Sequence, residues 1–74
     1  MKQETKNKLF EAWAYCDAMD KSTEYILCYM ADQVENEDFD ESNVIDFMLK
    51  ESFNRKLWYR TNPDWYKKYD LNKT

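Results

Sequence analysis

Asp40–Arg60, DESNVIDFMLKESFNRKLWYR, is the stretch whose reading decides the fold. It contains no glycine and no proline, so nothing in it breaks a helix outright. Asp40 or Ser42 supplies an N-cap. At helical spacing Val44, Ile45, Met48, Leu49 and Ser52 share one face, and Tyr59 extends it. The stretch therefore predicts one long helix from its cap to about Arg60, with that face turned to the core. Phe47 and Trp58 then point away from it.

Upstream, two more helices are expected. In Glu4–Met19 the residues Leu9, Phe10, Trp13 and Cys16 form a stripe, with Glu11 and Tyr15 opposite. Asp20–Thr23, DKST, is a break rich in N-cap residues. In Thr23–Glu35 the inner stripe is Ile26, Leu27, Met30, Ala31 and Val34, while Tyr25, Tyr29 and Asp32 face outward. Downstream, Asn62-Pro63-Asp64 reads as a helix start, with Asn as cap and Pro in the first turn. A short fourth helix from Pro63 to about Tyr69 follows. The fold class is all-α: a small three- to four-helix domain over residues 1–74, expected to form a dimer. The chain has no glycine, which argues against a fold built on hairpins.

Charge is segregated. Residues 22–49 carry eight acids and no base. Residues 50–74 carry seven bases and three acids. The net charge of −4 conceals this layout. The acidic stretch is densest at Ala31–Asp46, ADQVENEDFDESNVID.

Several chemistries are excluded or poorly supported. Histidine is absent, so the commonest general base is missing, and no feature marks an activated Ser or Cys. No enzyme is expected, and no cofactor. Two cysteines without histidine cannot supply the four ligands of a zinc site. A calcium loop begun at Asp38 has Asn43 where glycine is needed and Leu49 where a bidentate glutamate is needed. A Cys16–Cys28 disulfide is allowed but unforced, and two reduced thiols are the favoured reading. Met1–Lys8 is polar and no apolar targeting segment follows. The expected setting is the cytoplasm.

Two surfaces remain. The first is acidic: Asp32, Glu35, Glu37, Asp38, Asp40, Glu41 and Asp46 are candidate partner contacts. A dense carboxylate array stands in for phosphates and competes for a basic groove or channel. The plainer reading is a solvated turn whose acids cap the third helix. The other surface is aromatic. Tyr25, Tyr29, Phe47 and Trp58 are candidates for apolar contact or dimerisation, unless a further helical layer covers them.

The stretch Glu35–Asp46, ENEDFDESNVID, carries a resemblance. Short, acidic, aromatic-rich helical chains without glycine or histidine look like small bacteriophage proteins that take over host machinery. Among these, the chain is similar in size and character to DNA-mimicking inhibitors of the bacterial DNA sliding clamp from Twort-like staphylococcal phages. The likeness covers the whole chain but contains no diagnostic motif. It implies a dimeric inhibitor lodged in the clamp's DNA channel, blocking loading onto DNA. The glutamine-led peptide of ordinary clamp binders is missing, since Gln3 and Gln33 lack the following Leu and aromatic residues.

Two other classes stay open. One is a binder of single-stranded nucleic acid, using Arg55, Lys56, Arg60, Lys67 and Lys68 with Trp65 and Tyr66, where bases stack on rings and cations track phosphates. In that segment Glu51–Arg55 and Asp64–Lys68 are the expected helical ion pairs if the basic residues are merely structural. The other is a helical adaptor that binds a transcription factor through the aromatic face.

Overall fold

The computed structural model describes residues 1–34 and 39–69. It is all-helical, with no strand among the described residues. Four α-helices run in order: α1 Gln3–Ala18, α2 Thr23–Asp32, α3 Glu41–Lys50 and α4 Ser52–Thr61. A short 3₁₀ helix, Trp65–Tyr69, follows. No helix among the described residues is long and apolar enough to cross a membrane.

Helix α1 is the centre of the molecule. Leu9, Phe10, Trp13 and Cys16 are buried as their spacing predicts, and Ala12 and Ala14 join them. The two alanines widen the buried arc, so α1 packs against both α2 and α4. The turn after α1 solves a problem posed by the missing glycine. Asp20 takes a left-handed backbone, φ 53°, which aspartate tolerates better than most residues. The Lys21 N–H then reaches the Cys16 carbonyl at 3.0 Å, and the Asp20 N–H the Asp17 carbonyl at 3.1 Å. These are the two bonds of a Schellman closure. Ser22 caps α2, accepting from the Tyr25 N–H at 3.2 Å.

The predicted long helix does not hold. It bends at Glu51, whose backbone (φ −105°, ψ 11°) lies outside the α-helical range, and so becomes α3 and α4. Ser52 Oγ donates to the Leu49 carbonyl at 3.5 Å, a back-bond of the kind that bends helices. The bend lets α3 pack against α2 while α4 packs against α1.

The face is also rotated from the expected one. Val44 and Phe47 on α3 and Trp58 on α4 are buried, while Ile45 and Leu49 are exposed. Phe10 touches both Phe47 (5.3 Å between ring centroids) and Trp58 (6.3 Å). The inward line Val44, Phe47, Glu51, Arg55, Trp58 has the right spacing but carries two charges, both half-buried. Their counterparts lie on α1: Glu51 pairs with Lys6 at 3.1 Å, and Arg55 pairs with Asp17. The expected Glu51–Arg55 pair is replaced by these two.

The fourth helix is likewise reduced. Asn62 does not open a helix but closes α4, its N–H and side-chain amide both donating to the Trp58 carbonyl at 2.9 and 3.0 Å. The Trp65 N–H reaches the Asn62 carbonyl at 3.2 Å and the Lys67 N–H the Asp64 carbonyl at 3.1 Å, the spacing of a 3₁₀ turn. This turn lays buried Trp65 against Trp58 (6.4 Å) and Tyr59 (6.3 Å). It is the covering layer over Trp58.

Candidate functional site

The capping of α3 fixes one of the candidate acids. Asp40 Oδ1 accepts from the Ser42 N–H at 3.0 Å, the Ser42 hydroxyl at 2.7 Å and the Asn43 N–H at 3.2 Å. Asn43 Oδ1 accepts in return from the Asp40 N–H at 2.7 Å, completing a capping box. The Ser42 hydroxyl, then the backbone donors, hold the Asp40 carboxyl below its ordinary value. Asp40 is thus a structural cap that remains solvent-exposed.

Helix α2 aligns Glu24, Cys28 and Asp32 at four-residue steps along one exposed stripe. Helix α3 adds Glu41: the Cys28 thiol donates to Glu41 Oε1 at 3.1 Å. That bond comes first among the causes that push the thiol above its ordinary value. Partial desolvation follows, then the negative field of Glu41, Asp32 and Glu24. Cys28 therefore senses three carboxylates and stays protonated near neutral pH, which makes it a poor nucleophile. Asp32 and Glu41 both act on Cys28. Glu24 acts on it too and was missed, because it sits two helical turns upstream of Asp32, outside the acidic run.

Asp46 is on a different flank. Five residues separate it from Glu41, about 140° around a helix. It lines a shallow groove of about 340 Å³ with Lys6 and Lys50, so bases border it. Glu35, Glu37 and Asp38 lie outside the described residues.

The aromatic candidates separate as well. Phe47 and Trp58 are corrected: both are core residues, 6% and 8% exposed, and offer no contact surface. Tyr29 is half-buried and stacks between Tyr15 (5.6 Å) and Tyr25 (5.9 Å). Burial is the first cause that pushes its hydroxyl above the ordinary value. Tyr25 is exposed, with Lys21 Nζ over its ring at 4.8 Å. Ile45 and Leu49, which the sequence assigned to the core, are exposed on α3, as are Phe53 and Leu57 on α4, Leu57 beside Phe10 and Trp58 in a groove against α1.

The basic segment spends much of its charge internally. Arg55 pairs with Asp17 and lies over the rings of Trp13 (4.0 Å) and Tyr59 (5.3 Å). Lys68 pairs with Glu11 at 2.7 Å, and Lys67 with Asp64 at 3.4 Å, displacing the expected Asp64–Lys68 pair. Trp65 is buried and does not offer its face for base stacking. Of the residues expected to meet single-stranded nucleic acid, Trp65 is buried and Arg55 is held by Asp17, whereas Lys56, Arg60, Lys67 and Lys68 are exposed and Tyr66 is half-buried.

Among the described residues no group of three or more His, Cys, Asp or Glu side chains is placed to hold a metal ion. Both cysteines are free, Cys16 buried and Cys28 exposed. No family model, curated protein or solved structure matches the chain.

Proposed function

We propose that this chain is a non-enzymatic binding protein whose open acidic face docks on a basic groove or channel of a nucleic-acid-handling protein and competes there with DNA or RNA. One observation carries the reading. The four ion pairs among the described residues take their acids from Glu11, Asp17, Glu51 and Asp64. Glu24, Asp32 and Glu41 enter none of them, and they converge on Cys28. An uncompensated carboxylate stripe on a rigid helix pair raises a negative potential that steers toward a basic partner.

The reading is that of a phage-type inhibitor acting in a bacterial host. The resemblance in character to sliding-clamp inhibitors makes the DNA channel of a bacterial clamp the first partner to test. Binding to purified clamp is expected at low salt, to weaken as salt rises, and to be displaced by duplex DNA. The triple variant Glu24→Lys, Asp32→Lys, Glu41→Lys should lose it while keeping its helical circular dichroism. If neither the clamp nor any basic nucleic-acid-handling protein in a bacterial lysate is retained at low salt, the proposal fails. Retention of such partners undiminished by the triple variant would move the contact to the apolar face.

A further inference from the structure

A line of ring contacts joins the buried tryptophan cluster to the surface. Between ring centroids, Trp58 lies 6.4 Å from Trp65, Trp65 6.3 Å from Tyr69 and Tyr69 4.8 Å from Tyr15. Tyr15 then lies 5.6 Å from Tyr29, and Tyr29 5.9 Å from Tyr25. The two tryptophans are 8% and 7% exposed, whereas Tyr25 at the far end is 42% exposed. The line therefore runs from the core, past α1, to an open ring on α2.

Indole and phenol rings, with thiols, are the side chains that lose one electron most easily, and rings in near contact pass it from one to the next. A phenol also reduces an indolyl radical at neutral pH, because its hydroxyl proton leaves with the electron. Three phenols touch Trp65: Tyr59 at 6.3 Å, Tyr66 at 6.2 Å and Tyr69. Their surroundings differ. The Tyr59 hydroxyl accepts from Arg55 Nη2 at 3.0 Å, so a cation stands against it and opposes the loss of an electron. The Tyr69 hydroxyl instead faces the Glu11 carboxylate, a group able to take its proton. Lys68, paired with Glu11 at 2.7 Å, keeps that carboxylate in place. Oxidation is favoured at Tyr69, the ring that leads on to Tyr15.

We propose that this line is a radical relay that carries one-electron oxidation out of the core. A small oxidising radical takes an electron from Trp58 or Trp65, and the indole N–H proton is lost to water. Tyr69 returns the electron, its hydroxyl proton passes to Glu11, and the indole regains a proton from water. Tyr15, Tyr29 and Tyr25 in turn give up an electron and a hydroxyl proton, and the ring before each regains both. At Tyr25 a dissolved reductant, ascorbate or a small thiol, donates a hydrogen atom and restores the phenol. The reductant is oxidised, the radical is reduced, and every ring returns to its starting state. The relay spares Trp58 and Trp65, on which the core depends. It does not rest on the acidic-face reading, because it uses none of Glu24, Asp32 and Glu41.

Pulse radiolysis of the whole chain with the azidyl radical, which oxidises tryptophan first, tests it. The indolyl absorption is expected to decay into a phenoxyl absorption at a rate independent of protein concentration. Tyr69→Phe should remove that fast step, and Glu11→Gln should slow it by roughly tenfold or more, both with helical circular dichroism unchanged. Tyr59→Phe and Tyr66→Phe should leave it in place. A spin trap followed by peptide mapping should label Tyr25 in the native chain, and Tyr15 or Tyr69 once Tyr29→Phe breaks the line. A phenoxyl signal that never grows, or grows only in proportion to protein concentration, overturns the proposal. So does a fast step that survives Tyr69→Phe or vanishes with Tyr59→Phe or Tyr66→Phe, or label that stays on tryptophan in the native chain.

Discussion

Glu11, Asp17 and Glu51 each hold a cation from another part of the chain, whereas Glu24, Asp32 and Glu41 hold none. The first group rims the joint between α1 and the α4–C-terminal half. The other lies along α2 and the start of α3. Both regions are rich in charge. In one, opposite signs face each other across a helix contact, so charge goes into holding the fold. In the other the carboxylates enter no ion pair among the described residues, so their charge stays open. Aromatic residues divide the same way. Trp13, Trp58 and Trp65 are locked into one buried cluster, while the α2 rings lie at the surface or half-buried.

The sharpest way to break the comparison is to remove the ring at the centre of the closed half. Trp58→Ala should cost roughly 3–5 kcal/mol, most of the stability of so small a domain. Thermal or urea melts would show it as near-complete unfolding. A modest effect would mean that the C-terminal turn does not depend on Trp58.

Arg55 comes next. Its guanidinium stacks on Trp13 and pairs with Asp17 at the rim. Arg55→Ala should cost roughly 1–2 kcal/mol. Arg55→Lys should recover only part of that, since an ammonium lacks the planar stack. Urea midpoints at fixed slope would report both. Full rescue by lysine would reduce Arg55 to a simple point charge.

Asp40 bridges the two regions, because it is acidic but committed to a cap. Asp40→Ala should lower the melting temperature by roughly 5 °C. Its carboxyl and that of Glu51 are both held below their ordinary values of 3.8 and 4.5. For a lowered carboxyl, the stability it adds is fully present above the ordinary value and is lost as pH falls through the depressed one. Melting temperature should therefore hold steady above about pH 5 and drop below about pH 4. Asp40→Asn, which still caps, should flatten that drop.

The smallest effect reports on the open half directly. The Cys28 thiol, held protonated by Glu41 and its acidic neighbours, should react slowly with an alkylating reagent near pH 8. Glu41→Gln should speed the reaction by roughly two- to tenfold. An unchanged rate would show that the carboxylates do not bear on the thiol.

Helix α1 was legible because Leu9, Phe10, Trp13 and Cys16 repeat at helical spacing with polar residues between them. The start of α2 was legible through the DKST break, though the helix ends at Asp32 rather than the expected Glu35, and the start of α3 was legible through Asp40 or Ser42 as cap. The face of α3–α4 was not. Two stripes compete there: an all-apolar one through Ile45, Met48 and Leu49, and a mixed one through Val44, Phe47, Glu51, Arg55 and Trp58. By periodicity and hydropathy alone the mixed stripe is the poorer candidate for the core, because it carries two charges. The candidate acidic face was legible as a charge run, but its membership was not: Asp46 turns to a flank bordered by lysines, and Glu24 joins from about two helical turns upstream of Asp32.

The sequence by itself determined that the chain is helical, where α1 and α2 lie, and that the acids and bases are segregated. These depend on short-range periodicity, caps and composition, which neighbouring residues decide together. Only the tertiary structure decided the bend at Glu51, the rotation that buries Phe47 and Trp58, and which carboxylates remain uncompensated. Each depends on a partner distant in the chain. Glu51 and Arg55 can sit half-buried between Phe47 and Trp58 because Lys6 and Asp17 meet them from α1, far away in the sequence.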